Sequence, residues 1–185
     1  RVTTGHVFDE NILEVEVPDI MRNRIRSGVD FFDELFGGER GAGLGMVPTQ
    51  TMIFAGTPGA GKTTLLMMVA AGLTAQGHIA YYNSAEESKQ QLKLTAARIG
   101  LKNGFIVGQR NSMPDILDDC NKLQEKYPNK KLILFVDSLQ AISDGRFSTG
   151  RITSRTAEEN IDQLISFCKD EAKIKSGKAM TAIAI

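Results

Sequence analysis

The 185-residue chain carries 22 basic and 22 acidic side chains, so it is not a globally basic nucleic-acid binder, and any such contact must come from a local patch or from assembly. With 42% hydrophobic and 24% charged residues it has globular composition, and its length suits one domain rather than a disordered chain. Cys120 and Cys168 are too few for a disulfide framework or a four-ligand zinc site, no apolar run reaches the roughly 18 residues of a membrane span, and the expected compartment is the reducing cytoplasm.

Residues 1–26 read as an extended N-terminal arm: acidic and apolar residues alternate from Glu14 to Val17, and Pro18, Arg22, Arg24 and Arg26 follow. The core is expected to run over 27–185. A short helix is expected within 27–38, capped by Ser27 or Asp30 and stopped by Gly37 and Gly38, with a glycine-rich loop over 39–48. From Thr51 onward, strand and helix alternate. Strands are expected at 51–55, 78–83, 105–107, 132–136 and 179–185, and helices at about 62–76, 88–99, 115–127 and 156–174. Leu92, Leu94, Ala96 and Ile99 are read as one helix's apolar spacing, and Met67 and Met68 as core. His6 and His78 are isolated in sequence. Short, uniformly apolar strands between helices imply an α/β fold, mainly a parallel sheet with helices on both faces. The last strand coincides with the end of the chain, so the sequence is expected to be a segment of something longer.

Residues Gly56, Thr57, Pro58, Gly59, Ala60, Gly61, Lys62 and Thr63 match G-x-x-x-x-G-K-[ST]. Glycines let backbone N–H groups turn inward around phosphate oxygens, and the helix that follows points its positive end at the same place. Lys62 is expected to reach the β- and γ-phosphates of a nucleotide, Thr63 to complete a Mg2+ shell, and Thr64 to add a contact nearer the α-phosphate. A strand before and an apolar helix after supply the context this motif requires.

The apolar run 132–136 ends in Asp137. A strand-end acid standing alone reads as a turn cap. Beside a phosphate loop it reads as a second metal-side residue, because ligands of α/β sheets bind at the carboxyl ends of strands. Glu86 and Glu87 occupy another strand-to-helix junction, where acids also serve as helix caps. Glu86 is expected to orient or deprotonate the attacking water, with Glu87 in support. The stretch 145–155 holds Arg146, Arg151 and Arg155 with no acid, together with Phe147 and several Gly, Ser and Thr residues. Arginines and hydroxyls suit nucleic-acid phosphates and Phe147 can stack on a base, although a solvated loop or an arginine finger toward a neighbouring protomer fits the same residues.

The segment 27–38, the phosphate loop, Tyr82-Asn-Ser-Ala-Glu-Glu-Ser88 with Gln91 and Ala97-Arg-Ile-Gly100, and Val136-Asp-Ser-Leu-Gln140 together resemble the RecA-like ATPase superfamily, and within it the bacterial RadA branch. The resemblance covers about 24–185. It implies a RecA-like P-loop core in which Glu86 is the catalytic glutamate, Asp137 the metal-side acid and Ser138 its neighbour. It also implies ATP and Mg2+ bound between protomers of a homo-oligomer, a hexameric ring or a filament. By the same resemblance the loop after Asp137 faces single-stranded DNA, and the activity is DNA recombination and repair by branch migration. KaiC-type assembly switches and DnaB-type helicase cores use the same architecture. Residues 1–26 hold no cysteine for the four-cysteine module of the RadA branch, and that branch's Lys-Asn-Arg-Phe-Gly motif does not occur in the chain.

Overall fold

A computed structural model of the protein describes residues 11–37, 43–143 and 154–185. Five strands form one sheet among the described residues: β1 (Thr51–Ile53), β2 (Ile79–Ser84), β3 (Ile106–Gly108), β4 (Leu132–Asp137) and β5 (Met180–Ala184). Their spatial order is β1-β5-β4-β2-β3, and every pairing is parallel. The last strand in sequence therefore lies between the strand that leads into the phosphate loop and the strand that ends in Asp137.

The strands alternate between two cores. Ile133 and Phe135 of β4, Ala80 and Tyr82 of β2 and Ile183 of β5 face one side, where they meet α3 (Lys62–Ala75) and α4 (Lys89–Arg98) through Leu66, Met67, Leu73 and Leu92. Leu132, Leu134 and Val136, with Tyr81, Ala182 and Ala184, face the other side, against α5 (Met113–Lys126) and α6 (Ser154–Cys168). A sheet covered on both faces needs apolar residues at successive strand positions, which is why β2, β4 and β5 read as continuous runs rather than alternating ones.

Short elements close the ends. α1 (Asp19–Arg22) lies within the arm, and Ile25 and Met46 exchange backbone hydrogen bonds of 2.8 and 2.9 Å that fasten the end of the arm to the core. Both side chains are buried. Gly45 sits at φ +115, and a Cβ there would come within 2.4 Å of the Ile25 carbonyl oxygen, so the close approach demands glycine.

Four local expectations are corrected. Helix α2 (Asp30–Leu35) starts after Val29 with no side-chain cap; Ser27 instead donates to the wholly buried Asp33, whose carboxylate also accepts from the backbone N–H groups of Ser27 and Gly28. Met67 is core, but Met68, a further 100° around α3, is 40% exposed. On α4 the inward face is Leu92, Ala96 and Ile99, while Leu94, two residues from Leu92 and so on the far side, is 71% exposed. The helix expected over 156–174 is two, α6 and α7 (Glu171–Lys175), because the Asp170 side chain accepts from the N–H groups of Ala172 and Lys173 and starts a new helix.

Candidate nucleotide site

The phosphate loop leaves the carboxyl end of β1 and enters α3 at Lys62. Gly59 and Gly61 have φ of +80 and +86, backbone that side-chain-bearing residues rarely adopt, and no atom lies within 4 Å of where their Cβ atoms would be. The loop is thus a concave backbone surface with an open face. Within it the Ala60 N–H donates to the Thr57 carbonyl, 3.2 Å. The Lys62 ammonium folds back and donates to the carbonyls of Gly56 at 2.7 Å and Thr57 at 3.0 Å, which holds its charge over the mouth of the loop.

Asp137 arrives from the end of β4. Its Oδ2 accepts from the Thr63 hydroxyl at 2.9 Å, across 74 residues of sequence, and from the Tyr82 phenol at 2.7 Å. Burial first, and then the charge of Asp137, push the Tyr82 pKa above its ordinary value, so the phenol stays a donor. Tyr82 was not legible as a site residue: only the order of β2 beside β4 carries its hydroxyl to Asp137.

Glu86 follows the end of β2. The Ser138 hydroxyl donates to its Oε1, and the Ala85 N–H donates to the Asp137 carbonyl at 2.8 Å, so the Glu86 segment is tied to the Asp137 segment through both backbone and side chain. The Glu87 N–H is turned onto the Ser84 hydroxyl, 3.0 Å. Ser88 caps α4 in a reciprocal capping box with Gln91.

These residues line one cleft of about 830 Å³. Gly56, Pro58, Gly59, Gly61, Lys62, Thr63 and Thr64 form one wall, Glu86 and Glu87 a second, and Asp137, Ser138 and Gln140 a third; Ala157 and Ile161 of α6 close it. The Thr63 and Asp137 oxygens meet at one point, a hard oxygen donor pair of the kind Mg2+ prefers. Among the described residues no group of three or more His, Cys, Asp or Glu side chains is placed to hold a metal, so an ion here would complete its shell with phosphate oxygens and water, as Mg2+ does. Arg155 lies on α6, exposed, with its guanidinium 3.3 Å from Glu159 one turn on. Arg146, Phe147 and Arg151 lie outside the described residues.

The pattern that defines the ATPase family associated with various cellular activities (AAA) matches residues 52–184, from β1 through β5. The chain belongs to this family of ATPases. It is 32% identical over 134 residues to the DNA repair protein RadA of Streptococcus pneumoniae, 30% over 149 residues to that of Aquifex aeolicus, and 34% over 131 residues to that of Haemophilus influenzae. Those matches cover 72%, 80% and 70% of this AAA chain but only 29%, 31% and 26% of the relatives' own lengths. A solved ATPase domain superposes with a TM-score of 0.61 at 15% identity, over 90% of this chain and 64% of that one, and it shares the fold. The RecA-like α/β P-loop architecture expected from the sequence is the one found. No helix among the described residues is long and apolar enough to cross a membrane.

Proposed function

We propose that the chain is the ATP-hydrolysing core of a RadA-like DNA recombination and repair motor that works on single-stranded DNA in the cytoplasm. One observation carries the reading: Thr63, Asp137 and Glu86, from three separate elements, converge on the cleft beside the Gly56–Thr64 loop. The backbone N–H groups of residues 56–64 take the phosphates of ATP, and Lys62 leaves its two carbonyl partners for the β- and γ-phosphate oxygens. Thr63 and Asp137 hold Mg2+, which when bound offsets charge that develops on the phosphates. Glu86, held by Ser138, orients a water and takes its proton as the water oxygen attacks the γ-phosphorus and ADP departs with the electron pair of the broken P–O bond.

Arg146, Phe147, Arg151 and Arg155 are assigned to single-stranded DNA, the arginines on phosphates and Phe147 on a base. The cleft is open on one side, and a neighbouring protomer in a ring, a hexamer by resemblance, or a filament completes it. Residues 1–26 act as an arm whose end, at Ile25, packs into the core at 27–185. The name of the relatives, DNA repair protein RadA, supports this reading; the chain spans under a third of their length, and branch migration is proposed of the whole protein.

ATP turnover with and without single-stranded DNA, across a salt series, tests the proposal. Stimulation by DNA that weakens as salt rises is expected, because phosphate contacts release counterions. Replacing Arg146, Arg151 and Arg155 together by Ala is expected to remove stimulation but keep nucleotide binding; Lys62→Ala is expected to remove both, and Glu86→Gln to keep binding without hydrolysis. Turnover indifferent to DNA would replace the motor with a nucleotide-dependent assembly switch.

A further inference from the structure

Residues 109–112 join β3 to α5 beside the nucleotide cleft without lining it. Their hydrogen bonds run to two distant places. At one end is Asn83, wholly buried at the carboxyl end of β2 and three residues before Glu86. Its Nδ2 donates to the Arg110 carbonyl at 2.9 Å and its Oδ1 accepts from the Arg110 N–H at 2.8 Å. An amide buried in an apolar strand is costly unless both ends are paired, and this reciprocal pair satisfies one donor and one acceptor on each side. The Gln109 amide donates to the Glu87 carbonyl at 3.2 Å. The loop therefore grips the chain on both sides of Glu86.

The same loop is anchored sideways. The Arg110 guanidinium makes a two-pronged contact with Asp119 of α5, at 2.8 and 3.0 Å, and the Tyr81 phenol donates to that carboxylate at 3.0 Å. At its other end the loop meets Ser143. The Ser143 N–H donates to the Asn111 carbonyl and the Ser143 carbonyl accepts from the Met113 N–H, both at 2.8 Å. Ser143 immediately precedes the stretch that carries Arg146 and Arg151.

We propose that residues 109–112 form a strut between Ser143 and the Glu86 segment, with Asn83 and Gln109 as positioning residues that set the placement of Glu86. The inference rests on the assignment of Glu86 made above. It differs from the direct Ser138 contact, which holds the carboxylate itself: the strut acts on the backbone that carries Glu86.

Two variants test it. Gln109→Ala removes one exposed amide and leaves the core untouched; Asn83→Val removes the reciprocal pair while keeping a side chain suited to a buried strand. Hydrogen exchange of the amides at 84–88 reads the strut without any need for activity. Loss of a hydrogen bond is expected to speed exchange there by on the order of fivefold to tenfold in both variants. Unchanged protection at 84–88 in both overturns the proposal. In turnover assays with saturating single-stranded DNA, Gln109→Ala is expected to lower kcat about fivefold or more and move KM for ATP less than about twofold, within the usual range of coupling between sites. A KM effect with no change in kcat would mark a merely structural clamp and likewise overturn it. If the wild-type chain shows no stimulation by DNA, the DNA assignment fails on that measurement alone, and the exchange result still decides the strut.

Discussion

Tyr82→Phe isolates one bond at the centre of the site. The phenol donates to Asp137 Oδ2 at 2.7 Å, and its ring is wholly buried, stacked 5.7 Å from Phe135 and tilted 5.5 Å from Phe105. Phenylalanine keeps those contacts and removes only the hydroxyl. A hydrogen bond to an ionised acceptor contributes about 1.5–3 kcal/mol. Asp137 keeps its second donor, Thr63, so the carboxylate is not left unpaired, and a loss near the lower end, about 1.5 kcal/mol, is expected. For a chain of this size that lowers the thermal midpoint by about 3–6 °C. Urea unfolding without nucleotide, at wild-type and variant positions, measures the difference as a shift in midpoint at constant slope. The decisive control is the Asp137→Leu background, in which the phenol has lost its acceptor. There Tyr82→Phe is expected to be neutral or stabilising, because a buried hydroxyl without a partner is itself a cost. An equal loss in both backgrounds would show that the hydroxyl works through something other than Asp137 and would refute the reasoning.

Three further outcomes follow from the packing. Gly72→Ala adds helix propensity worth about 1 kcal/mol. It is nonetheless expected to destabilise the protein, by about 2 kcal/mol in urea unfolding, because the new Cβ would come 2.1 Å from the Ser27 carbonyl oxygen; a stabilised variant would contradict the close contact of α3 with that segment. His78 has its pKa lowered from 6.5, by burial first and by the charge of Lys131 second, so the unfolded chain takes up a proton that the folded chain refuses. Stability is therefore expected to fall as pH drops below that ordinary value, and His78→Gln to flatten this dependence between pH 5.5 and 7.5 in paired unfolding curves; identical slopes would dismiss it. Burial pushes both thiols up, Cys168 to about 11, and neither side chain reaches solvent, so a thiol reagent at pH near 8 is expected to label the native protein far more slowly than the urea-unfolded chain, and labelling at the rate of a free thiol would argue against the buried placement.

The phosphate loop was fully legible because its geometry is local: two positive-φ positions, a lysine and a hydroxyl lie within eight successive residues, and the strand and helix that frame it are marked by their own apolar runs. The acids Asp137 and Glu86 were legible as strand-end residues, since the carboxyl ends of parallel strands gather on one side of the sheet. Tyr82 and Asn83 were legible only as members of the strand-end stretch that carries the family resemblance, not as site residues. Inside a strand buried on both faces, a tyrosine and an asparagine read as packing residues, and their hydroxyl and amide acquire meaning only from the neighbours that strand order supplies. The helix errors have a similar source. The single helix expected over 156–174 ran through Asp170, whose side chain caps a second one; Leu94 and Met68 are apolar and helical, but one face of each helix meets the sheet and they lie on the other.

The amino-acid order alone determined that a phosphate cradle exists and that it sits in a parallel α/β sheet, because both are written in neighbouring residues and in runs of a few apolar positions. Asp137 was already the expected metal-side acid; its direct hydrogen bond with Thr63 and its second donor, Tyr82, were decided by the folded chain, where β4 lies beside β2 and one strand from β1. Hydrogen-bond registers between strands many residues apart set such distances, and no local pattern encodes them.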